Sequence, residues 1–178
     1  MKKYIIIAVV VIIAALLVVR FNTRGEVYSD NTSNFSIVLD NGWKLLDKGN
    51  SSTTSSTLFG NGSSTIVVKK FDRTDSVNQA ISFMGNQEFG NFLAEQIKMD
   101  IGNQYEITAT SSIMINGISF LEVDAKYIAP KTKKEVTQKT YITINDKAYY
   151  IIGTDIYTDI LNQNLGQIEK IINTFKLK

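Results

Sequence analysis

Between Gly117 and Thr154 the chain reads GISFLEVDAKYIAPKTKKEVTQKTYITINDKAYYIIGT, and this stretch constrains the fold more than any other. Leu121, Val123, Ala125 and Tyr127 alternate with Glu122, Asp124 and Lys126, a period of two that sends each set to its own face of a strand. Pro130 opens the turn APKTKKE, and Asn145-Asp146-Lys147 separates VTQKTYITI from AYYIIG. The stretch therefore reads as successive antiparallel strands. AYYIIG is apolar on both faces, so it belongs in the middle of a sheet covered on both sides. Such a chain is committed to a layered architecture.

The rest of the sequence supplies further strands and the covering layers. In NFSIVLDNGWKLLD, Asp40-Asn41-Gly42 is a turn signal between two short strands. The Ser/Thr-rich run GNSSTTSSTLFGNGSST is expected to begin as a loop, and its Asn61-Gly62 makes a hairpin turn into TIVVKKF. Ser76 and Gln79 have capping-box spacing and predict the start of a helix. Within that helix Phe89, Leu93, Ile97 and Ile101 recur every four residues, while Gly85 and Gly90 are expected to break or bend it. YEITATSSIMI turns at Asn116-Gly117 into ISFLEVDAKYI. From about Thr158 a closing helix is predicted, whose Leu161, Leu165, Ile168, Ile172 and Phe175 pack on the sheet. The expected fold class is α+β: a central antiparallel sheet of about six to eight strands with helices packed on it.

The N-terminus is of another kind. Tyr4 to Val19 is an unbroken apolar run behind Lys2 and Lys3. As a helix it spans about 24 Å at 1.5 Å per residue, slightly short of a bilayer core of about 30 Å. Tyr4 and Phe21 suit the interfaces, and Lys3 and Arg20 can snorkel. The rival reading is a cleaved signal peptide, but Val18, Val19, Arg20, Phe21 and Asn22 do not offer the small residues that cleavage prefers. The expectation is a transmembrane anchor over residues 1–21, a juxtamembrane linker over 22–33, and a folded domain over 34–178. With so short a tail ahead of the span, the N-terminus is placed inside and the domain outside the cytoplasm. The protein would then be a single-pass component of the cell membrane.

Composition excludes much chemistry. The chain has no cysteine and no histidine, so there is no disulfide framework, no thiolate nucleophile, and neither the commonest general base nor the commonest metal ligand. Lys2, Lys3, Arg20 and Arg24 are four of its 19 basic residues; the remaining 15 face 17 acidic ones, so the body carries a net −2. That balance argues against a nucleic-acid partner. Ser51–Ser56 offers hydroxyls but no placed lysine to activate them. Asp155 and Asp159 could share a helical turn and offer oxygen ligands to calcium or magnesium, though Asp at a helix start also serves as a cap. Glu122 and Asp124 lie about 7 Å apart on one strand face, where alternation with Lys126 reads as an ordinary polar surface. Lys131, Lys133 and Lys134 fit a solvated hairpin tip, or contact with an anionic lipid or polymer. Trp43 reads as core. Asn31, Asn34, Asn50 and Asn61 fit the glycosylation triplet.

NFSIVLDNGWK, NGISFLEVDAKY, KAYYIIGT and IEKIINTFK, in this order, resemble the opening strand, the Gly-led central strand, the aromatic penultimate strand and the C-terminal helix of the PsbP-like family. The resemblance covers Asn34 to Lys178 and implies an α/β/α sandwich. It also implies a function of assembly, stabilisation or binding, since such domains serve photosystems, nuclear transport and cell envelopes. No family binding motif falls on particular residues here. The expectation is a non-catalytic extracytoplasmic module that binds or stabilises an envelope component, with the membrane and an envelope protein as partners and with no catalytic residue, cofactor or metal. Alternatives are a hydrolase or metal-dependent enzyme built on Asp155, Asp159, Glu122 and Asp124, should folding gather them, and a purely structural envelope protein.

Overall fold

The computed structural model describes residues 25–102 and 104–178. The apolar run Tyr4–Val19, with the anchor and orientation expected of it, lies outside the described residues. Among those described, no helix is long and apolar enough to cross a membrane.

In chain order the elements are β1 (Glu26–Asp30), β2 (Phe35–Leu39), β3 (Lys44–Asn50), β4 (Thr54–Gly60), β5 (Ser64–Asp72), α1 (Asp75–Ile101), β6 (Glu106–Ile115), β7 (Ile118–Ile128), β8 (Glu135–Ile144), β9 (Ala148–Tyr157), a short 3-10 turn (Thr158–Ile160), α2 (Leu161–Ile172) and β10 (Lys176–Leu177). The main sheet has seven strands in the order β3-β4-β5-β9-β8-β7-β6, and a smaller one has the order β1-β2-β10. All pairings are antiparallel. β9, which contains the apolar run AYYIIG, lies fourth of seven, between β5 and β8. The Asn116-Gly117 turn holds both residues at positive φ, 50° and 80°, the conformation that a two-residue hairpin needs and that Asn-Gly adopts most readily.

Strand alternation then assigns every side chain to one of two faces. On one face Phe59, Ile66, Val68, Phe120, Tyr150 and Ile152 meet Ile168, Ile171 and Ile172 of α2, Phe35 and Ile37 of β2, and Phe175, in one buried cluster. The rings of Phe35 and Phe175 stack at 5.6 Å. On the other face α1 lies over β7 and β8, and its buried cluster is small: Ala94, Val123 and Ile142, with Leu93, Leu121 and Ile151 partly buried around them. A second contact is aromatic, where Phe89 stands edge-on to Tyr149, which stacks on Phe71 at 4.8 Å.

Several local expectations need correction. The polar run 22–33, read as a linker, contains β1. Its inward positions are Tyr28, edge-on to Phe59, and the buried Asp30, so little in its composition marks it as a strand. The expected Ser/Thr loop is largely strand too, with Ser55 and Thr57 buried in β4. Asp40-Asn41-Gly42 does form a turn, but the strands it joins belong to different sheets. The N-cap of α1 is Thr74, whose hydroxyl accepts from the Val77 amide, so Ser76 lies inside the first turn. Gly85 does break the helix, with φ 82° and ψ 166°, whereas Gly90 remains helical and buried. Ile101 is more than a third exposed, so the apolar face of α1 stops short of its end. α2 ends at Ile172, and Phe175 enters the core from the turn beyond, where the Thr174 and Phe175 amides bond to the carbonyls of Ile171 and Ile172.

Candidate functional site

The register separates the four carboxylates singled out in the sequence. Gln138 of β8 lies opposite Asp155 of β9, and Lys139 opposite Asp124 of β7. Glu122 and Asp124 share the α2 face with Phe120, and there both grip the Lys139 ammonium at 3.0 Å. Burial alone would lower the pKa of Lys139, but the two carboxylates overcome this and raise it. Asp155 faces the other way, on the α1 side. Asp159 is exposed in the 3-10 turn and pairs with Lys134 at 3.0 Å. Asp155 and Asp159 therefore do not share a helical turn, because the first belongs to the strand and only the second to the turn that follows. No group of three or more acidic side chains is arranged to hold a metal ion among the described residues.

Asp155 has the most distinctive surroundings. The α1-face positions of β9 are Tyr149, Ile151, Gly153, Asp155 and Tyr157, so an acid interrupts an otherwise non-polar row. Beside it on β8, Gln138 interrupts the row Val136, Gln138, Thr140 and Ile142. The two polar residues answer each other: the Gln138 amide donates to Asp155 Oδ1 at 2.8 Å, and the Tyr105 hydroxyl donates to Gln138 Oε1 at 2.7 Å. The Tyr127 hydroxyl also hydrogen-bonds to Asp155. These donors are neutral, and no lysine or arginine forms an ion pair with Asp155 among the described residues. Burial holds the carboxyl above its ordinary value, and the Gln138 and Tyr127 hydrogen bonds offset that only in part. Burial also pushes the Tyr105 hydroxyl up to about 12.

Asp155 opens into a cleft of about 370 Å³ at the end of the sheet, with Leu46, Tyr127, Val136 and Tyr157 among its walls. Cross-strand pairing puts Tyr127, Val136 and Tyr157 in one row, which brings two phenol rings beside the carboxylate. At the rim, Lys134 places its ammonium 5.2 Å from the centroid of the Tyr157 ring. The arrangement can accept hydrogen bonds and positive charge; Ser63, Ser64 and Thr65 also line the cleft, Thr65 directly opposite Asp155 on the neighbouring strand.

The remaining candidates have structural roles. Trp43 is buried in the core, and its indole N–H finds no partner among the described residues. In the Ser51–Ser56 segment the Ser55 hydroxyl bonds to Ser33, and the Ser51 hydroxyl donates to the Thr54 carbonyl across the β3–β4 turn. Lys131, Lys133 and Lys134 lie in the exposed β7–β8 turn. Asn31, Asn34 and Asn50 are exposed, whereas the Asn61 side chain is engaged in its own turn through the amides of Ser63 and Ser64. A polar centre missed in the sequence is Asp30, which is buried and accepts from the amides of Thr32 and Ser33, from Thr57 Oγ1 and from Lys48 at 2.9 Å. Asp155 itself was visible as a candidate, but Gln138, Tyr127 and Tyr105 were not. A polar side chain opposite Asp155 on the adjacent strand is the signal that finds Gln138; Tyr127 and Tyr105 carry no such signal.

No protein-family model and no curated protein matches the chain by sequence. Solved structures do match by shape. Cyanobacterial PsbP (CyanoP) of Synechocystis is 13% identical with a TM-score of 0.61, over 88% of this chain and 94% of that one. LpqN, described as involved in cell envelope biogenesis of Mycobacterium tuberculosis, is 12% identical with a TM-score of 0.51, over 87% of this chain and 91% of that one. A Bacteroides thetaiotaomicron protein is 13% identical with a TM-score of 0.60 over 88% of this chain, which spans about half (49%) of that protein's length. Identities this low speak to architecture alone. That architecture, an antiparallel sheet with a long kinked helix on one face and a short C-terminal helix on the other, is the PsbP-like fold, and this chain has it.

Proposed function

We propose that the protein is a membrane-anchored, non-catalytic binding module. Its PsbP-like domain is displayed outside the cytoplasm and holds an envelope component against its α1 face. The observation that carries this reading is the Asp155 cleft, a concave site with a carboxylate that forms no ion pair among the described residues. The apolar run Tyr4–Val19 supports anchoring. The fold shared with LpqN, a protein described as acting in envelope biogenesis, agrees with the setting. The raised pKa of Asp155 favours a second reading, a carboxylate enzyme. Against it stands the sheet itself, which keeps Glu122 and Asp124 on the opposite face, bound to Lys139.

The absence of cysteine makes the test direct. A full-length Lys131→Cys variant in intact cells is treated with a membrane-impermeant maleimide, and the membranes are then washed with carbonate. Labelling from outside and retention in the washed membranes are expected; a soluble product, or protection from the reagent, overturns the topology. A photo-crosslinking residue at Leu46, in the cleft wall, should give a discrete adduct that the same residue at Lys131 does not. Turnover of ester, glycoside, phosphate or peptide substrates that disappears in Asp155→Asn would instead establish the enzyme.

A further inference from the structure

We propose that the Asp155 cleft is a receptor for a primary ammonium group, such as a lysine side chain of the bound component; this rests on the binding-module reading above. Three observations define the ligand. First, the hydrogen bonds that Asp155 accepts come from Gln138 and Tyr127, which leave its negative charge uncompensated. A half-buried carboxylate in that state attracts a cation more strongly than a solvated one, because the surrounding medium screens it less. Second, its walls include the rings of Tyr127 and Tyr157 and the apolar side chains of Leu46 and Val136, beside the hydroxyl residues Ser63, Ser64 and Thr65. Aromatic faces attract cations, and aliphatic walls suit a methylene chain leading to one. Third, Tyr157 already takes an ammonium, that of Lys134, at 5.2 Å, while Asp159 holds Lys134 at the rim without an ion pair to Asp155. The electron-rich ring and the unneutralised acid together leave a place for a second ammonium from outside.

Size limits the ligand too. About 370 Å³ admits an amine on a short alkyl chain but not a folded domain. The acceptor-rich floor discriminates against a neutral alcohol of the same length, which brings no charge to the carboxylate. It also discriminates against a quaternary ammonium, which has no N–H to donate.

The experiment uses the full-length protein in zwitterionic detergent micelles, with n-butylammonium, n-butanol and tetramethylammonium as probes. Binding is read from the NMR shifts of the Gln138 side-chain amide and the Asp155 carboxyl carbon. Saturable binding of n-butylammonium is expected, at least about ten-fold tighter than either other probe. Asp155→Asn should weaken it by about ten-fold or more. Tyr157→Leu, which keeps the carboxylate, should weaken it by a smaller factor. Thermal unfolding of each variant confirms that it is folded. Equal binding of n-butanol, or no effect of Asp155→Asn, overturns the proposal, and equal binding of tetramethylammonium overturns the assignment to a primary amine. The two readings fail separately. Ammonium binding without a crosslinked partner at Leu46 removes the module and leaves the ligand class. A crosslinked partner without ammonium binding does the reverse.

Discussion

Asp30 and Asp155 lie on opposite sides of the main sheet, and the two are treated in opposite ways. Asp30, on the α2 side, is 1% exposed and accepts hydrogen bonds from two backbone amides, a threonine hydroxyl and the Lys48 ammonium. Burial would raise its pKa, but Lys48, the Ser33 amide and Thr57 overcome that, and the carboxyl sits below its ordinary value. Asp155, on the α1 side, sits above its ordinary value, because burial penalises its charge and the hydrogen bonds from the neutral Gln138 and Tyr127 offset that only in part. The first arrangement is what stability requires of a buried charge. The second leaves a carboxylate without an ion pair among the described residues, and the proposed binding site rests on that difference. The surroundings agree. The α2 side has the large cluster around Phe35, Phe59, Phe120 and Phe175. The α1 side has a small one, clefts beside it, and Phe83, Phe92 and Met99 exposed along α1.

The largest expected effect tests the packing half of this contrast. Phe175 is fully buried against Phe35, Phe120 and Tyr150. Phe175→Ala should cost about 3–5 kcal/mol, from lost burial and the cavity left behind. Phe92→Ala on α1, where the ring is about half exposed, should cost less than about 1 kcal/mol. Urea midpoints measure both. Similar losses would mean that the two faces are equally packed and the contrast is false.

Next in size is the hub. Asp30→Asn keeps the shape but removes the charge, weakening the Lys48 contact and the charge-assisted bonds from Ser33 and Thr32. A cost of about 1–3 kcal/mol at neutral pH is expected. The folded-state pKa of Asp30 is depressed, so its stabilisation is fully present above the unfolded value of about 3.9 and is lost as pH falls through the lower folded value. The cost of Asp30→Asn should therefore shrink in acid, below about pH 4. A cost that is independent of pH would show that the carboxylate's charge contributes nothing.

The same asymmetry explains what was legible in the sequence. β7 announces itself because an apolar residue stands at every second position from Leu121 to Tyr127, so that a one-residue slip would expose the whole set, and β9 because AYYIIG is apolar on both faces. β1 and β4 do not, because their inward positions include Asp30, Ser55 and Thr57. Their burial is made tolerable by hydrogen bonds to each other and to Ser33, which composition cannot show. The apolar spacing locates both helices to within a turn but overruns the end of α2, because Phe175 continues it past the last helical residue. The candidate site was half legible. Sequence spacing pairs Asp155 with the wrong neighbour, Asp159, four residues on. Its actual neighbours, Gln138 and Tyr127, come from two other strands, and only the register brings them together.

The smallest expected effect is the most discriminating. Asp155→Asn retains an oxygen to accept from Gln138 and gains an amide that can donate to the Tyr127 hydroxyl oxygen. What disappears is the charge. The folded-state pKa of Asp155 is raised, so its contribution to stability is fully present below the unfolded value of about 3.9 and is lost as pH rises through the higher folded value. At neutral pH the native protein therefore bears the cost of a carboxylate held away from solvent, and the variant does not. Asp155→Asn should be neutral or stabilising at pH 7, by less than about 1 kcal/mol, with the difference vanishing or reversing below about pH 4. Its slope against pH is opposite in sign to that of the native charge at Asp30, whose removal is costly at pH 7 and cheap in acid. Thermal or urea unfolding of both variants from pH 3 to pH 8 gives the two slopes side by side. If Asp155→Asn is as costly at pH 7 as Asp30→Asn, then Asp155 is a second structural hub, and the cleft loses the feature that marks it as a site.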